Sequence, residues 1–400
     1  MRRRQESGEF YRVAEPYGFS SVEIRTKRRR QAGHTKEQTE VRLMKRRTLL
    51  VHLLLCLLAA VLLFYLAYAF YLRGKREPST VRQTTNEQAV VYASEKQMKR
   101  KLSLFFPQIA KKMKRSYVVP GMQATESLAG EFRAVSMCTS MTPQGMCVTE
   151  DYILISAYCY THRHNSVLYL LDRVTGAYIK TIALAGKAHV GGLAYDSRHR
   201  NVWVSGSSNE AAKAVCYTLD SILDYDISAG KPLRSVYNYT LSTIVRNSYL
   251  CYADDALLIG LFLTGKESML EWFYLAENGA LRSQISANYN AYHEYVATDL
   301  TVSTSGLIQG VAKEGDKLFL SKSCGPYDSV LQIHSFEENK TSFMDSEADV
   351  ILRLPQKLEQ ICVADGEVYC LFESEAYAYR AQPALVIDRI LVFDLAELMA

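Results

Sequence analysis

The sequence predicts an all-β domain that follows a single membrane-spanning helix. Two observations predict this arrangement: an uncharged stretch from Thr48 to Leu72, and a succession of short apolar runs after about Tyr117 that are separated by Gly, Asn, Asp and Ser. Short apolar runs bounded by turn residues are typical of β-strands. A third observation, the recurrence of these runs about every fifty residues, predicts that the strands form repeated units.

The uncharged stretch is long enough to cross a bilayer. Its twenty-five residues, at about 1.5 Å each, exceed a hydrocarbon core of roughly 30 Å. It ends in tyrosines and Arg73 rather than in a small-residue cleavage site, which favours an anchor over a cleaved signal peptide or a buried core helix. Eight Lys or Arg lie in the twenty residues before it and four in the twenty after it, so we expect a cytoplasmic N-terminus and an extracellular C-terminal part at the cell membrane.

Charge divides the chain into two parts. Residues 1–117 hold 26 of the 47 Lys and Arg but 9 of the 42 acidic residues, whereas residues 118–400 hold 21 basic and 33 acidic residues. The acidic part lacks the clustered positive charge that binds phosphates, so nucleic acid is excluded as its partner. The predicted organisation is a disordered cytoplasmic tail (1–47), the helix (48–72), a basic stalk (73–117) and an extracytoplasmic β domain (118–400).

The stalk contains basic residues on both sides of an apolar island, and Pro107 interrupts it. The island consists of Leu102, Leu104, Phe105, Phe106 and Ile109. A helix of this composition is basic and amphipathic. Three alternatives remain open for it: attachment to the membrane surface, packing against the β domain, or a solvated stalk.

Five copies of a strand repeat are visible in the β domain. The copies open at Pro143, Val190, Asn247, Ile308 and Leu358. The third copy is expected to close with a strand at 281–285, and the fifth contains only three predicted strands. One such unit cannot bury both its faces, but four-stranded blades around an axis cover one another. The sequence therefore predicts a β-propeller of five four-stranded blades, with a β-sandwich as the alternative.

Several stretches of the repeat resemble a known group of proteins. They are Pro143 to Gly145, Leu170 to Gly176, His189 to Asp196, Asn201 to Val204 and Leu371 to Ala376. The likeness covers about residues 140–397. These stretches resemble bacterial membrane-anchored β-propellers, of the broad group that includes surface-layer-type and regucalcin/gluconolactonase-like propellers. The resemblance implies the propeller fold, and its enzymatic option is a metal-dependent lactonase with Glu, Asn and Asp ligands around the channel.

The main candidate site comes from the repeat, because the sequence has neither a Gly-rich phosphate loop nor a Gly-x-Ser-x-Gly elbow. Equivalent opening positions of the blades form a ring around one mouth of the central channel. Those positions hold Gln144, Gly191, Asn247, Gln309 and Glu359, and His189 lies two residues before Gly191. The candidate ligand-binding ring is Gln144, His189, Asn247, Gln309 and Glu359. Such a ring could bind a small polar ligand or a cation, and the alternative is that it satisfies backbone groups or ordered water.

A second candidate cluster lies in the last blade. It consists of Glu373, Tyr379, Arg380 and Arg389. We expect these residues to form a buried ion pair that fastens the last blade, with substrate recognition as the alternative.

Histidines and cysteines give weaker signals. His162 and His164 are expected to be exposed loop residues rather than metal ligands. Eight cysteines follow the span, an even number that an oxidising exterior could pair. Cys147 and Cys362 are one candidate pair, because closure of the ring makes the first and last blades neighbours.

The sequence favours a binding, sensory or scaffold module over an enzyme. The ring offers Glu359 and Asn247 but no clear Asp beside them for the lactonase ligand set. No cofactor is predicted, although Ca²⁺ or another divalent cation is a candidate. A hydrolase or lyase that uses the channel is the alternative function. If a protein is the partner, outer loops at His162 to Asn165 and Tyr289 to Tyr295 are the alternative interaction surface.

Overall fold

A computed structural model gives the structure of residues 43–68, 84–86, 91–129, 134–208, 211–265, 267–282, 284–285 and 295–400. The chain forms two compact units, Met1–Arg76 and Glu77–Ala400. The first contains helix α1 (Leu43–Tyr68), whose 26 residues, about 39 Å in length, are long and apolar enough to cross a membrane. Most of the predicted tail, the last four residues of the predicted span and most of the loop at 289–295 lie outside the described residues.

The second unit is a ring of five β-sheets, which confirms the predicted five-bladed propeller. Ahead of the first blade lie β1 (Met113–Val118), β2 (Thr125–Ala129) and β3 (Ala134–Cys138). Blade 1 consists of β4 (Met141–Val148), β5 (Tyr152–Cys159), β6 (Val167–Asp172) and β7 (Tyr178–Ala183). Blade 2 consists of β8 (Leu193–Asp196), β9 (Asn201–Ser208), β10 (Ala211–Thr218) and β11 (Tyr237–Leu241).

The chain segments of blades 3 and 4 also add short strands to the edge of the preceding blade. Blade 3 begins with β12 (Tyr249–Ala253), β13 (Ala256–Gly260) and β14 (Glu267–Tyr274). The chain then adds β15 (Gln284–Ile285) and β16 (Tyr295–Val296) to the edge of blade 2 and returns as β17 (Leu300–Ser305). Blade 4 consists of β18 (Ile308–Glu314), β19 (Lys317–Lys322), β20 (Ser329–Ser335) and, after β21 (Ser342–Phe343) at the edge of blade 3, β22 (Val350–Leu354). Blade 5 contains β23 (Leu358–Ala364), β24 (Glu367–Phe372) and β25 (Arg389–Asp394).

The expectation for the end of the third copy is wrong. A strand at 281–285 was expected to close blade 3, but β17 takes that position beside β14. Leu281 bridges back to Leu275, and β15 pairs with β16 at the edge of blade 2. The short apolar run after the Asn278-Gly279 turn is therefore part of a connection that crosses between blades.

The ring closes through the N-terminal strand of the propeller. β1 pairs antiparallel with β25 and supplies the fourth strand of blade 5, which the repeat itself lacks. A salt bridge supports this junction, because Arg115 donates to Glu367 Oε1 over 2.6 Å and Lys114 lies 2.7 Å from the same atom. The strand begins at Met113, so it includes the last residues of the predicted stalk.

Two short helices precede this strand and pack on the propeller. They are α2 (Glu95–Phe105), capped by Ser94, and α3 (Pro107–Lys112), which begins at the proline that interrupts the apolar island. Leu102 and Ile109 are buried in an apolar cluster with strands of blades 4 and 5, whereas Leu104 and Phe105 are exposed. For this part of the stalk, the structure shows the second of the three alternatives, packing against the β domain.

Five apolar clusters fill the five interfaces between neighbouring blades. Successive residues of a strand point to opposite faces, so each blade contributes to the interfaces on both its sides. In β4, for example, Met146 packs with blade 5 and Cys147 with blade 2. The end of the chain adds α5 (Leu395–Met399), and blade 2 carries α4 (Leu219–Leu223). Short 3₁₀ turns lie at Ile227–Ala229 and Asp345–Glu347.

Candidate functional site

The inner strands approach one another closely around the axis. A Cβ on Gly192 would lie 2.4 Å from the amide nitrogen of Leu250 in the next blade, and one on Gly310 would lie 2.8 Å from the Cα of Gln360. Only glycine fits such an approach. These contacts, together with the strand register, make one set of residues equivalent around the ring. The set is Gly145, Gly192, Tyr249, Gly310 and Gln360.

β-bulges change the direction of the side chains that directly precede this set of residues. The pairing of the first two strands shifts between Pro143 and Met146 in blade 1, between Ile308 and Gly310 in blade 4, and between Leu358 and Ile361 in blade 5. Three predicted ring residues lie in these bulges. They are Gln144, Gln309 and Glu359. A bulge turns a side chain out of the regular alternation and ends local pairing, which leaves space at this end of the channel.

That space is a cavity of about 760 Å³, which we call the mouth. All five predicted ring residues line it. The other lining residues are Val190, Ser205, Gly206, Ser207, Ala211, Ala212, Val245, Arg246, Ser248, Phe262, Glu373 and Tyr379. The register makes Ser248 the equivalent of Gln144 and Glu359, so Asn247 lies one position earlier than its predicted equivalence, although it still reaches the mouth.

Two buried glutamates line the mouth. Glu359 of β23 and Glu373, just after β24, are both more than nine-tenths buried. Gln144 donates from Nε2 to Glu373 Oε2 over 2.8 Å and to the carbonyl of Pro143. Lys357 Nζ lies 3.9 Å from Glu373 Oε1 and 4.1 Å from the centre of the Tyr379 ring. Four residues of blade 5 and one of blade 1 thus meet across the closure of the ring.

Both carboxyl groups have a raised pKa. Burial raises the pKa of Glu359 well above its ordinary value, and the charge and hydrogen bond of Glu373 raise it further. Burial also raises the pKa of Glu373, while the charge of Lys357 and hydrogen bonds from Glu359 and Gln144 limit that pKa to about 7. Glu359 is therefore the group of the two that more readily keeps its proton at neutral pH, since like-charged carboxylates close together cannot both ionise cheaply.

One wall of the mouth is aromatic and uncharged. The ring of His189 lies against that of Tyr158, tilted by 31° with the ring centres 4.2 Å apart. Desolvation by the walls of the mouth, followed by the charges of His162 and Arg246, lowers the pKa of His189, and the residue keeps a solvent-exposed surface. The imidazole is consequently neutral at physiological pH and has one donor and one acceptor nitrogen. Val190 next to it has a φ of +50°, a strained conformation for a β-branched residue of the kind that clusters at binding sites.

Two buried oxygens in the mouth have no hydrogen-bond partner among the described residues. They are Asn247 Oδ1 and Ser248 Oγ. The other end of the Asn247 amide donates to the carbonyl of Lys213 over 3.0 Å, which fixes its orientation. Buried polar atoms are nearly always hydrogen-bonded, so these two atoms are suited to a ligand or a bound water.

The second predicted cluster is divided between two places. Glu373 and Tyr379 line the mouth. Arg380 donates to the carbonyl of Met122 over 3.0 Å and lies 4.0 Å from Glu375. Arg389 pairs with Asp388 over 2.7 Å and donates to the Tyr92 carbonyl over 3.1 Å. The buried pair at Arg389 thus joins residues ahead of α2 to β25, without Glu373.

Gln360 closes the channel below the mouth. Its Oε1 accepts from the amides of Met146 (3.0 Å) and Leu193 (2.8 Å), and its Nε2 donates to the carbonyls of Leu193 (2.7 Å) and Leu250 (2.9 Å). The side chain therefore connects blade 5 to blades 1, 2 and 3 with all its hydrogen-bonding capacity used.

A much smaller cavity, of about 80 Å³, lies on the far side of Gln360. Three cysteines line it: Cys147, Cys251 and Cys362. Cys147 and Cys362, the candidate pair for a bridge, are free thiols in the structure. Burial, followed by the charge of Cys362, raises the pKa of the Cys147 thiol.

Comparisons with known proteins give the following. No family profile and no curated protein matches the chain. A solved structure of RRP9 WD40 repeats is similar at 8% identity and a TM-score of 0.39, covering 67% of this chain and 99% of that one. A GH43_1 enzyme from Xanthomonas citri complexed with xylose is similar at 9% identity and a TM-score of 0.35, covering 72% and 92%.

A putative 6-phosphogluconolactonase from Bacteroides uniformis is similar at 11% identity and a TM-score of 0.34, covering 56% of this chain and 62% of that one. At such low TM-scores these likenesses carry no argument about activity. The five-bladed fold rests on the strand order of this structure.

Proposed function

We propose that the propeller is a binding module for a small, neutral, hydroxyl-rich molecule, held at the membrane by α1. The observation that carries the proposal is the convergence of the buried carboxyl groups of Glu359 and Glu373 with the amide of Gln144 in a mouth of about 760 Å³. A volume of this size accommodates a small ligand, and a few convergent polar groups orient it. Asn247 Oδ1 and Ser248 Oγ supply acceptors that no described residue satisfies.

Charge favours a neutral ligand over a divalent cation. At neutral pH the pair retains a proton, and Lys357 lies 3.9 Å from Glu373. Calcium prefers several ionised carboxylate oxygens, so it would have to displace this proton next to a positive charge. Hydroxyl groups both donate and accept, which matches the mixed donors and acceptors of the pair, Gln144 and neutral His189.

The same geometry favours binding over hydrolysis. Glycoside hydrolases hold two carboxyl groups about 5–5.5 Å or 6.5–9.5 Å apart to flank the bond that is cleaved. Glu359 and Glu373 instead interact with each other strongly enough to raise the pKa of Glu359, and Glu373 is also engaged by Gln144 and Lys357. Among the described residues that line the mouth there is no aspartate for a lactonase-type metal set.

Binding is tested with the full chain in detergent by calorimetric titration of neutral monosaccharides and polyols, free amino acids, and Ca²⁺. We expect heat of binding for at least one neutral probe, and at least about tenfold weaker affinity in the double variant Glu359→Ala with His189→Ala. The matched control is Glu271→Ala with His334→Ala, a buried glutamate and a buried histidine away from the mouth. Binding of protein partners but of no small molecule would assign the function to the outer loops at His162 to Asn165.

The pH dependence separates the ligand classes. Because the pKa of Glu373 is about 7, affinity for a neutral hydroxyl ligand should be constant below about pH 6 and weaken above pH 7, as this carboxyl group loses its proton. Affinity for a cation should instead rise over the same interval. A rise with pH would overturn the choice of a neutral ligand while leaving the mouth as the site.

The placement at the membrane has its own test. The excess of basic residues before α1 supports a cytoplasmic N-terminus and an extracytoplasmic propeller. A protease added to intact cells should remove a C-terminal epitope tag and spare an N-terminal one. Loss of the N-terminal tag with protection of the C-terminal one would reverse the orientation.

A further inference from the structure

A second cluster of chemically reactive side chains lies outside the mouth. Cys138 ends β3, Cys159 ends β5, and His164 lies in the connection between β5 and β6. Each offers one ligand atom, and the three atoms lie within 4.8 Å of one another. All three residues are buried, with exposed fractions of 0%, 2% and 6%.

The spacing fits a tetrahedral metal ion. Zinc binds thiolate sulfur at about 2.3 Å and imidazole nitrogen at about 2.0–2.1 Å, so a tetrahedral site places sulfur and nitrogen about 3.6 Å apart. Cys159 Sγ and His164 Nδ1 are 3.6 Å apart. Ser140 Oγ lies 3.6 Å from Cys138 Sγ and 3.5 Å from Cys159 Sγ, which is the distance expected for an oxygen at the fourth vertex.

The backbone holds the three segments in place. His164 forms a β-bridge with Ala129 of β2, and the amide of Asn165 donates to the carbonyl of Leu128 over 2.8 Å. On the other side, the amide of Tyr160 donates to the carbonyl of Ser140 over 2.9 Å. The ligands therefore do not depend on a loose loop, and an ion here would join the β2–β3 hairpin to blade 1.

We propose that Cys138, Cys159 and His164 bind a structural Zn²⁺ ion, with Ser140 Oγ or a water that it holds as the fourth ligand. Two sulfurs and one nitrogen in tetrahedral spacing suit zinc, whereas calcium and magnesium prefer oxygen ligands. Binding displaces the thiol protons and closes the site around the ion. Burial of all three side chains favours a structural role over a catalytic one, which would need an open coordination position.

The full chain is purified in detergent under reducing conditions, stripped of metal, incubated with Zn²⁺ alone and analysed by mass spectrometry for bound metal. We expect about one zinc per chain, falling to below about a tenth in Cys159→Ser and in His164→Gln. The matched controls Cys216→Ser and His334→Gln alter a buried cysteine and a buried histidine elsewhere, and should retain zinc.

Two further measurements use the unaltered chain and so do not depend on whether the variants fold. In the unaltered chain, Co²⁺ in place of zinc should give thiolate-to-cobalt charge-transfer absorption, and Zn²⁺ should raise the melting temperature. Absence of both effects would overturn the site. A disulfide between Cys138 and Cys159, found by alkylating thiols during cell lysis and mapping peptides without reduction, would also overturn it, because bridged sulfurs cannot bind the ion.

Discussion

The two ends of the axial channel use the same five inner strands but differ in chemistry. The mouth is a cavity of about 760 Å³ lined by amides, hydroxyls and two carboxyl groups, whereas the far end is about 80 Å³ and lined mainly by apolar side chains and three thiols, with Tyr195, Tyr252 and Lys313. One strand, β23, contributes to both, with Glu359 at the mouth, Gln360 between the ends and Cys362 at the far end.

The difference follows from strand pairing. At the mouth, bulges in β4, β18 and β23 interrupt the ladder. At the far end the pairing is regular, as Cys147 opposite Leu154, Cys251 opposite Leu258 and Cys362 opposite Tyr369 show. Regular pairing keeps the strands close and leaves room only for small side chains. Bulges thus decide which end of the channel is open.

The largest effect is expected when the ring is opened. Deleting all residues after Ala381 removes β25, which pairs with both β24 and β1. We expect loss of cooperative folding or aggregation, because blade 5 then exposes unpaired edges on both sides of the gap. Circular dichroism during heating and light scattering measure this.

Deletion of only the residues after Leu395 is the control. It keeps β25 and removes α5, whose Leu398 is buried, so a loss of about 1.5–3 kcal/mol is expected. If the longer truncation stays soluble and melts as the intact chain does, the closure through β25 is not what holds the ring.

Gln360→Met has the next largest expected effect. It leaves two amides and two carbonyls of blades 1 to 3 without partners, at about 1–3 kcal/mol for each buried group that stays unsatisfied, so a total loss of at least about 4 kcal/mol is expected. Gln309→Met, in the mouth, should cost less than about 1 kcal/mol. Urea unfolding of both variants gives the comparison, and equal losses would show that Gln360 does not join the blades.

The sequence predicts the inner strands better than the site. Gln144, His189, Asn247, Gln309 and Glu359 all line the mouth because the repeat places blade openings around one axis. That they bind a ligand stays a prediction. The role of Gln360 was not predicted. At the equivalent positions the other blades have three glycines and a tyrosine, and this equivalence is apparent only once the strand register is known.

Two other features depended on long-range pairing. Glu373 could have been assigned to the mouth from the Asp365-Gly366 turn, because a two-residue hairpin sets the register that brings it near Glu359. The fourth strand of blade 5 is a basic segment ahead of the repeat, so only the missing strand in the fifth copy points to it. No local signal places Cys138 next to Cys159 and His164, because the β2–β3 hairpin lies outside the repeat.

The two buried carboxyl groups should lower the free energy of unfolding at high pH. Glu373 has a folded pKa of about 7 against an ordinary value of 4.5, so the folded state binds more protons between these values and the free energy of unfolding falls as pH rises from about 4.5 to about 7. The loss is up to about 3 kcal/mol, since one pKa unit is about 1.4 kcal/mol. Glu373→Gln should flatten this slope and be more stable than the unaltered chain at pH 8.

Glu367 provides the contrast of opposite sign. Burial acts to raise its pKa, but hydrogen bonds from Arg115, Lys114 and Tyr369 outweigh burial and hold it at about 2. Its contribution is present above about pH 4.5 and is lost as pH falls towards 2. Glu367→Gln should therefore lower stability uniformly between pH 5 and 8. Urea unfolding at several pH values measures both variants, and an unchanged slope in Glu373→Gln would mean that the pair does not hold a proton.

The smallest effect is expected at the far end of the channel, where the triple variant Cys147→Ala, Cys251→Ala and Cys362→Ala should fold normally. The ring itself supports this expectation, because the equivalent positions in blades 2 and 4 are Ala194 and Ala312. Each change removes one sulfur from a small cavity, so we expect at most about 1 kcal/mol per site, and the three costs should add because the sites belong to different strands.

The urea midpoint measures the total. A loss several times larger, or a loss that appears only when Cys147 and Cys362 are changed together, would mean that these thiols act jointly in the native protein. The far end would then be a second site rather than the packed end of the channel.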